Sequence, residues 1–288
     1  MIAQNFEYTV ATSLGEAVSL LQKHGDRAKL LAGGHSLIPM MKLRLAAPEM
    51  LIDIGRLSEL AFINEEAQTV RIGALTTHHT IESSDTLRRR CEALSEAAST
   101  IGDIQVRNKG TIGGSIAHAD PAADYPASLV AFEATIVALG PKGDRAIPAA
   151  EFFVEMMTTA LQPNEIVREI RITPPGGRAG SAYLKMEQKA SGFAICGAAA
   201  VVELDGSGAL SSCRIGITGV ASHAFRAGET EKALIGQKPT ADLLRSACEK
   251  ASNGITALDD IHASAEYRLD LARIYARRTL QRAIERAG

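Results

Sequence analysis

Two short stretches hold the residue types from which chemistry could be built. One is Leu31-Ala32-Gly33-Gly34-His35-Ser36-Leu37, and the other runs Gly110-Thr111-Ile112-Gly113-Gly114-Ser115-Ile116-Ala117-His118-Ala119-Asp120-Pro121-Ala122-Ala123-Asp124. Each is a Gly-Gly pair flanked by a small hydroxyl residue and fed by an apolar run. Glycine admits backbone angles closed to other residues, so successive N–H groups can be turned toward one point. Such amide concavities take anions, phosphates foremost. Two of them, with the Asp124 carboxylate ten residues past Gly114, suit a ligand carrying both a pyrophosphate and a ribose. A lone Gly-Gly pair is ordinarily a tight turn. Two pairs, one trailed by Asp120-Pro121 and Asp124, argue for a site.

Other chemistries find less support. The chain has no Gly-x-Gly-x-x-Gly, no Walker A sequence, no Gly-x-Ser-x-Gly and no His-Glu-x-x-His. His118, Asp120 and Asp124 could be imagined around a metal, but they lie in a Gly/Ala/Pro-rich stretch with no second histidine at helical spacing. His35 beside Ser36 suggests a base and a nucleophile, yet adjacent side chains in a glycine turn diverge. His78-His79 reads as surface. A ligand that brings its own chemistry fits better, because a protein holding a dinucleotide in two amide nests needs few reactive side chains.

The elements that must hold these stretches can be traced in order. Ser13-Leu14-Gly15-Glu16 is a capping box, followed at helical spacing by Leu14, Ala17, Val18 and Leu21, with Gly25 as the stop. Ala28 to Ala32 is a strand that runs into the first glycine pair. Pro39 opens a short helix through Met40, Met41 and Leu43, and Met50 to Ile54 is another strand. Val70, Ile72 and Ala74 mark a strand, and a helix follows from about Ser84 to Ile101. Asp103 to Lys109 reads as a polar approach to the second glycine stretch, which reads as a loop. A helix then spans about Tyr125 to Phe132, and Ala134 to Leu139 is a strand stopped at Gly140-Pro141-Lys142-Gly143. Phe152, Phe153, Met156 and Met157 read as core residues of a helix.

Ile166 to Ile172 is an alternating strand, and Pro174-Pro175-Gly176-Gly177 marks the domain boundary. Beyond it Ala182 to Met186, Ala198 to Leu204 and Arg214 to Thr218 read as strands, with Gly206-Ser207-Gly208 as the hairpin turn between the last two. Helices close the chain at about Ala241 to Ala251 and Ala265 to Ala287. The last one carries Arg268, Arg273, Arg277, Arg278, Arg282 and Arg286 mixed with acids, as a solvated or subunit-facing surface would.

Composition sets the limits. The 288 residues suffice for two domains, and 46% apolar with 22% charged residues is the balance of a soluble globular chain. A net charge of −2 gives no case for nucleic acid or an anionic membrane as the main partner. No apolar run reaches membrane-spanning length and no signal peptide is visible, so the expectation is a cytoplasmic protein. Cys91, Cys196, Cys213 and Cys248 are scattered without a Cys-x-x-Cys, which suits buried reduced thiols.

At these motifs the sequence resembles a known family. Ala32-Gly33-Gly34-His35-Ser36, Thr111-Ile112-Gly113-Gly114 and Asp120-Pro121-x-x-Asp124 are similar to the FAD-binding subunit of molybdenum hydroxylases, the xanthine dehydrogenase group. Within that group the similarity points to the medium subunit of aerobic carbon monoxide dehydrogenases, and it covers essentially the whole chain. The resemblance implies an α+β fold: a two-lobed FAD-binding domain of the vanillyl-alcohol-oxidase (PCMH) type over 1–175, with lobes of about 1–55 and 56–175, and a smaller α+β domain over 178–288. FAD would lie extended between the lobes.

By the same resemblance, Leu30, Leu31, Ala32, Gly33, Gly34, His35, Ser36 and Leu37 would wrap the pyrophosphate together with Thr111, Gly113, Gly114 and Ser115, and Ala117 and Asp120 would be further cofactor contacts. Asp124 would hydrogen-bond a sugar hydroxyl. Ile101 and Val167 would be apolar contacts to the flavin and adenine ends, and Lys185 and Phe193 would stand near the isoalloxazine ring. Ser115 stands where many members have Asn, and Phe193 where some carbon monoxide dehydrogenases have Tyr. No cysteine-bearing insertion is present, so no iron–sulfur cluster is expected in this chain.

The implied partners are a small [2Fe-2S] subunit, a large molybdopterin subunit and an electron acceptor, with any membrane association left to the partners. Neither a catalytic side chain nor a metal site is expected here. The implied activity is electron relay from the clusters through FAD. A stand-alone FAD-dependent oxidoreductase and a non-catalytic nucleotide-binding module are the alternatives.

Overall fold

The computed structural model describes residues 2–288. Its first lobe is set by the start of helix α1 (Leu14–His24). The Ser13 hydroxyl accepts from Glu16 N–H, while the Glu16 carboxylate takes the Thr12 N–H (2.7 Å) and hydroxyl (2.6 Å), so the cap spans one residue more than the sequence motif suggests. Leu14, Ala17, Val18 and Leu21 then face a parallel three-stranded sheet. Strand β3 (Met50–Asp53) lies at its centre between β1 (Glu7–Val10) and β2 (Ala28–Leu31). Helix α2 (Leu37–Lys42) makes the crossover from β2 to β3.

The second lobe is an antiparallel five-stranded sheet in the order β4 (Ile63–Glu66), β5 (Thr69–Gly73), β10 (Ile166–Ile172), β6 (Thr135–Gly140), β7 (Gly143–Pro148). Helices α3 (His78–Ser83), α4 (Asp85–Arg90), α5 (Glu92–Ser99), α6 (Ile104–Lys109), α7 (Ile112–His118) and α8 (Tyr125–Ala131) fill the span between β5 and β6. Helix α9 (Ala149–Phe152) and a small hairpin of β8 (Phe153–Glu155) and β9 (Thr158–Thr159) precede β10.

Several readings of the sequence are corrected here. The helix expected from Ser84 to Ile101 is broken at Cys91, whose backbone turns out of the helical region (φ −142°, ψ 52°) to bury its thiol. The polar approach is helix α6, because the Asp103 carboxylate caps it by accepting from the N–H groups of Gln105 and Val106. The second glycine stretch is the start of helix α7 rather than a loop, with Thr111 as its cap. Phe152 and Phe153 are core residues meeting edge to face at 5.1 Å, but they join a helix to a strand. Met156 and Met157 sit in the following turn and are exposed.

The C-terminal domain is an antiparallel sheet, β11 (Ala179–Glu187), β12 (Ala194–Leu204), β13 (Leu210–Thr218), β14 (Phe225–Arg226), backed by α10 (Gly228–Leu234), α11 (Ala241–Cys248) and α12 (Ala265–Ala287). Period-two alternation splits β12 between two cores. Cys196, Ala198, Ala200 and Val202 face the cluster that includes α12 residues Ala272, Ala276 and Leu280, while Ala199 and Val201 join the second lobe's cluster with Tyr125 and Leu129. Backbones touch on both sides. A Cβ added at Gly180 would collide with the Ala283 carbonyl, and one at Gly216 with that of Ala127. Helix α12 is also less solvated than its arginines suggest. Arg268 is buried on the carbonyls of Ile195 and Gly219, and Arg286 grips Glu96 of α5. No helix among the described residues is long and apolar enough to cross a membrane.

Candidate functional site

A cavity of about 700 Å³ opens between the two lobes, and residues 191–193 of the C-terminal domain form part of its wall. The lobes meet at its floor almost backbone to backbone. A Cβ on Gly33 would fall onto the Lys109 carbonyl and come 2.9 Å from the Gly110 Cα. Of the residues named from the sequence, Leu30 to Leu37, Ile101, Thr111, Gly113, Gly114, Ser115, Ala117, Asp120, Asp124, Val167 and Phe193 all lie on the cavity wall. Lys185 does not.

The two glycine stretches differ in how their amides are used. In the first, β2 ends at Leu31 and the chain turns through Gly34 at φ +75° into α2. Among the described residues, the N–H groups of Gly33, Gly34, His35 and Ser36 donate to no protein acceptor. They are free donors on the cavity wall. In the second stretch the amides are engaged. Ile112 N–H donates to the Thr76 carbonyl, Gly113 N–H to that of Ala74, Gly114 N–H to the Thr111 hydroxyl (3.1 Å) and Ser115 N–H to the Thr111 carbonyl. The expected pair of equivalent amide nests is therefore one nest and one helix start.

Asp124 shows how the cavity's far wall is held. Its Oδ1 receives the Tyr183 hydroxyl at 2.6 Å and pairs with Lys185 Nζ at 3.0 Å, and both side chains of the ion pair are buried. Burial raises the Asp124 carboxyl above the ordinary range, with Lys185 and the hydroxyls pulling the other way. No protein donor reaches Oδ2 among the described residues, which leaves it for a ligand hydroxyl. Lys185 Nζ also donates to the carbonyls of Thr100 (2.9 Å) and Gly192 (2.5 Å). It is thus a tie behind the wall, joining β11, the end of α5 and the turn that carries Phe193. The sequence reading had placed it at the ring. Phe193 itself is 47% exposed.

His78 is the residue that the sequence reading missed. It was expected at the surface, yet its side chain is buried on the cavity wall at the start of α3. Its Nδ1 lies 2.9 Å from the hydroxyl of Tyr125, and burial, helped by the nearby Arg107 guanidinium, pushes the ring down to about 4. A signal existed in Thr77, whose hydroxyl caps α3 and places His78 at its first position. The partner, 47 residues on, gave none.

No group of three or more His, Cys, Asp or Glu side chains gathers at metal-binding distance among the described residues. Asp120 instead closes its own turn on Ala122 N–H (2.8 Å). All four cysteines are free and buried, and burial raises each thiol to about 12.

Comparison with known proteins agrees with this geometry. Residues 4–175 match the family model of the FAD binding domain in molybdopterin dehydrogenase, and residues 181–283 match that of the CO dehydrogenase flavoprotein C-terminal domain. The chain is 43% identical over 288 residues to the carbon monoxide dehydrogenase medium chain of Hydrogenophaga pseudoflava, covering 100% of both. It is 38% identical to the 6-hydroxypseudooxynicotine dehydrogenase complex subunit alpha of Paenarthrobacter nicotinovorans, covering 98% of this chain and 96% of that one. Among solved structures, a chain of carbon monoxide dehydrogenase from Hydrogenophaga pseudoflava superposes with a TM-score of 0.96 at 44% identity, covering 100% of each chain.

Proposed function

The chain belongs to the FAD-binding flavoprotein family of the molybdopterin dehydrogenases, and we propose that it is the subunit that relays electrons from a [2Fe-2S] partner to an external acceptor. It is a subunit of an oxidoreductase, and its cofactor is FAD. FAD supplies two-electron redox chemistry that no side chain of this chain offers.

The observation that carries the proposal is the interlobe cavity with free amides on one wall and a carboxylate oxygen on another. The residues fit the cofactor. Gly33 to Ser36 present four uncommitted N–H donors to a diphosphate, which binds well where amides converge. Asp124 offers Oδ2 to a sugar hydroxyl, and Ile101, Val167 and Phe193 give apolar surface for flat rings. Lys185 fixes the turn bearing Phe193, so the exposed edge of the cavity is held by a buried charge.

Identity of 38% to a subunit of a 6-hydroxypseudooxynicotine dehydrogenase complex, close to the 43% to a carbon monoxide dehydrogenase chain, supports a choice of substrate made outside this subunit. The partners that follow are a small [2Fe-2S] subunit and a large molybdopterin subunit, and the reaction is of the carbon monoxide dehydrogenase type.

An absorption spectrum of the protein purified with those subunits tests the cofactor, and rapid mixing with the reduced [2Fe-2S] subunit tests the relay. Bleaching of the flavin bands is the expected result. A flavin that stays oxidised beside a reduced cluster would overturn the relay.

A further inference from the structure

The Ile112 to Ser115 amides of the second lobe are engaged within the protein, so a diphosphate beside them would take a donor from a side chain. His78 is positioned to give one. Tyr125 is fully buried, and among the described residues its hydroxyl has the His78 Nδ1 as sole partner. Only donation from the phenol to Nδ1 leaves no polar hydrogen stranded in the core. Nδ1 is then the acceptor, and the ring carries its single proton on Nε2. That Nε2–H has no protein acceptor among the described residues, although the side chain is 96% buried by the measure of its 4% exposure.

Gly110 shows what Nε2 lies against. A Cβ at Gly110 would come 2.5 Å from Nε2, and a Cβ at Gly33 would come 2.9 Å from the Gly110 Cα. The ring edge and the first glycine turn therefore meet at the same strip of wall, and both His78 and Gly110 line the cavity. Backbone geometry does not demand glycine at position 110, since φ −60° and ψ 141° suit any residue. Clearance for Nε2 does.

We infer that His78 is a binding residue of this site, donating a hydrogen bond from a neutral Nε2–H to the FAD diphosphate beside the Gly33–Ser36 amides. The inference rests on the FAD assignment above. A neutral donor suits the place, because it adds direction without a charge that must be desolvated. The Tyr125 hydroxyl is the part that sets the tautomer, acting through the ring rather than on the ligand.

Two variants separate binding from structure. His78→Asn keeps an acceptor at the level of Nδ1 for Tyr125 but cannot reach the place of Nε2. His78→Gln carries an N–H to that place. FAD affinity would be read by quenching of flavin fluorescence on the full chain with its co-purifying subunits, after removal of the native flavin, with ADP as a competing diphosphate. His78→Asn should bind FAD and ADP about tenfold more weakly, and His78→Gln should stay within about threefold of the unaltered protein. Ring ¹⁵N shifts should show a protonated Nε2 and a bare Nδ1, with the Nε2 signal moving on addition of FAD. Equal affinity in all three proteins, the reverse order of the two variants, or a proton on Nδ1 would overturn the inference and leave the cofactor assignment standing. Unaltered protein that takes up no FAD would overturn both.

Discussion

The two Gly-Gly segments share a sequence signature and little else. In the first, Gly34 needs a positive φ that side chains resist, and the amides around it stay free. In the second, both glycines are helical, and their role is closeness. A Cβ on Gly113 would come 2.6 Å from the Ala74 Cβ and 2.7 Å from its carbonyl oxygen, where the Gly113 N–H already donates. One pair leaves its amides unengaged beside a cavity; the other lets a helix lie against a strand end. The same dipeptide answers two different constraints, and only the three-dimensional neighbours tell which.

Substitutions can break or sharpen that contrast. The largest effect is expected from Gly33→Val, whose side chain must displace the Lys109–Gly110 backbone at the floor of the cavity. The flavin-to-protein ratio after gel filtration should fall close to zero. Gly113→Ala should instead lower thermal stability, since overpacking a tight site costs about 1–3 kcal/mol, while the folded fraction keeps its flavin. Equal flavin loss in both, with unchanged melting, would erase the distinction.

Acid sharpens it next. His78 takes a proton near 6.5 when unfolded but only at about 4 when folded. Its contribution to stability is therefore complete above the unfolded value and is lost as pH falls from 6.5 toward 4, by up to about 3 kcal/mol. Melting temperatures of the unaltered protein and His78→Gln should accordingly converge across that window. Parallel curves would mean that the histidine titrates freely.

Asp124→Ala should weaken FAD by about 1.5–3 kcal/mol in an equilibrium titration, the worth of a hydrogen bond to a charged group. It removes a ligand contact and strands Lys185 together. Lys185→Met, which spares Oδ2, should cost less affinity and loosen the turn of Phe193. The smallest change is expected for Thr111→Ala, a lost helix cap worth about 1 kcal/mol seen as a lower melting temperature. A drop in flavin affinity larger than the drop in stability would give the second segment a part in binding after all.

Much of this arrangement was legible in the sequence, and the limits are physical. The strand-to-glycine transition at Leu31–Gly33 and the Ser13 helix start are local signals, and they read correctly. Asp103 is an equally local cap for α6, but the six-residue helix after it is too short to show an apolar periodicity. The different work of the two glycine pairs could not be read, since it depends on Lys109 and Ala74 carbonyls brought in by the fold. The same holds for Lys185. Its partners Asp124 and Thr100 lie 61 and 85 residues away, so nothing in the sequence told a charge at the ring from a tie behind it. His78 was hidden by its neighbour. His79 is exposed, as expected of both.

The strand that is buried on both faces has a consequence for ancestry. β12 gives alternate residues to the cofactor lobe and to the C-terminal helices, so the lobe's core is completed by Ala199 and Val201 from beyond the domain boundary. Recombination at Pro174–Gly177 would leave each descendant with half of an interface cut to another's shape. The two segments must therefore be inherited as one piece, and their alanines and glycines at the shared seam should drift together rather than independently.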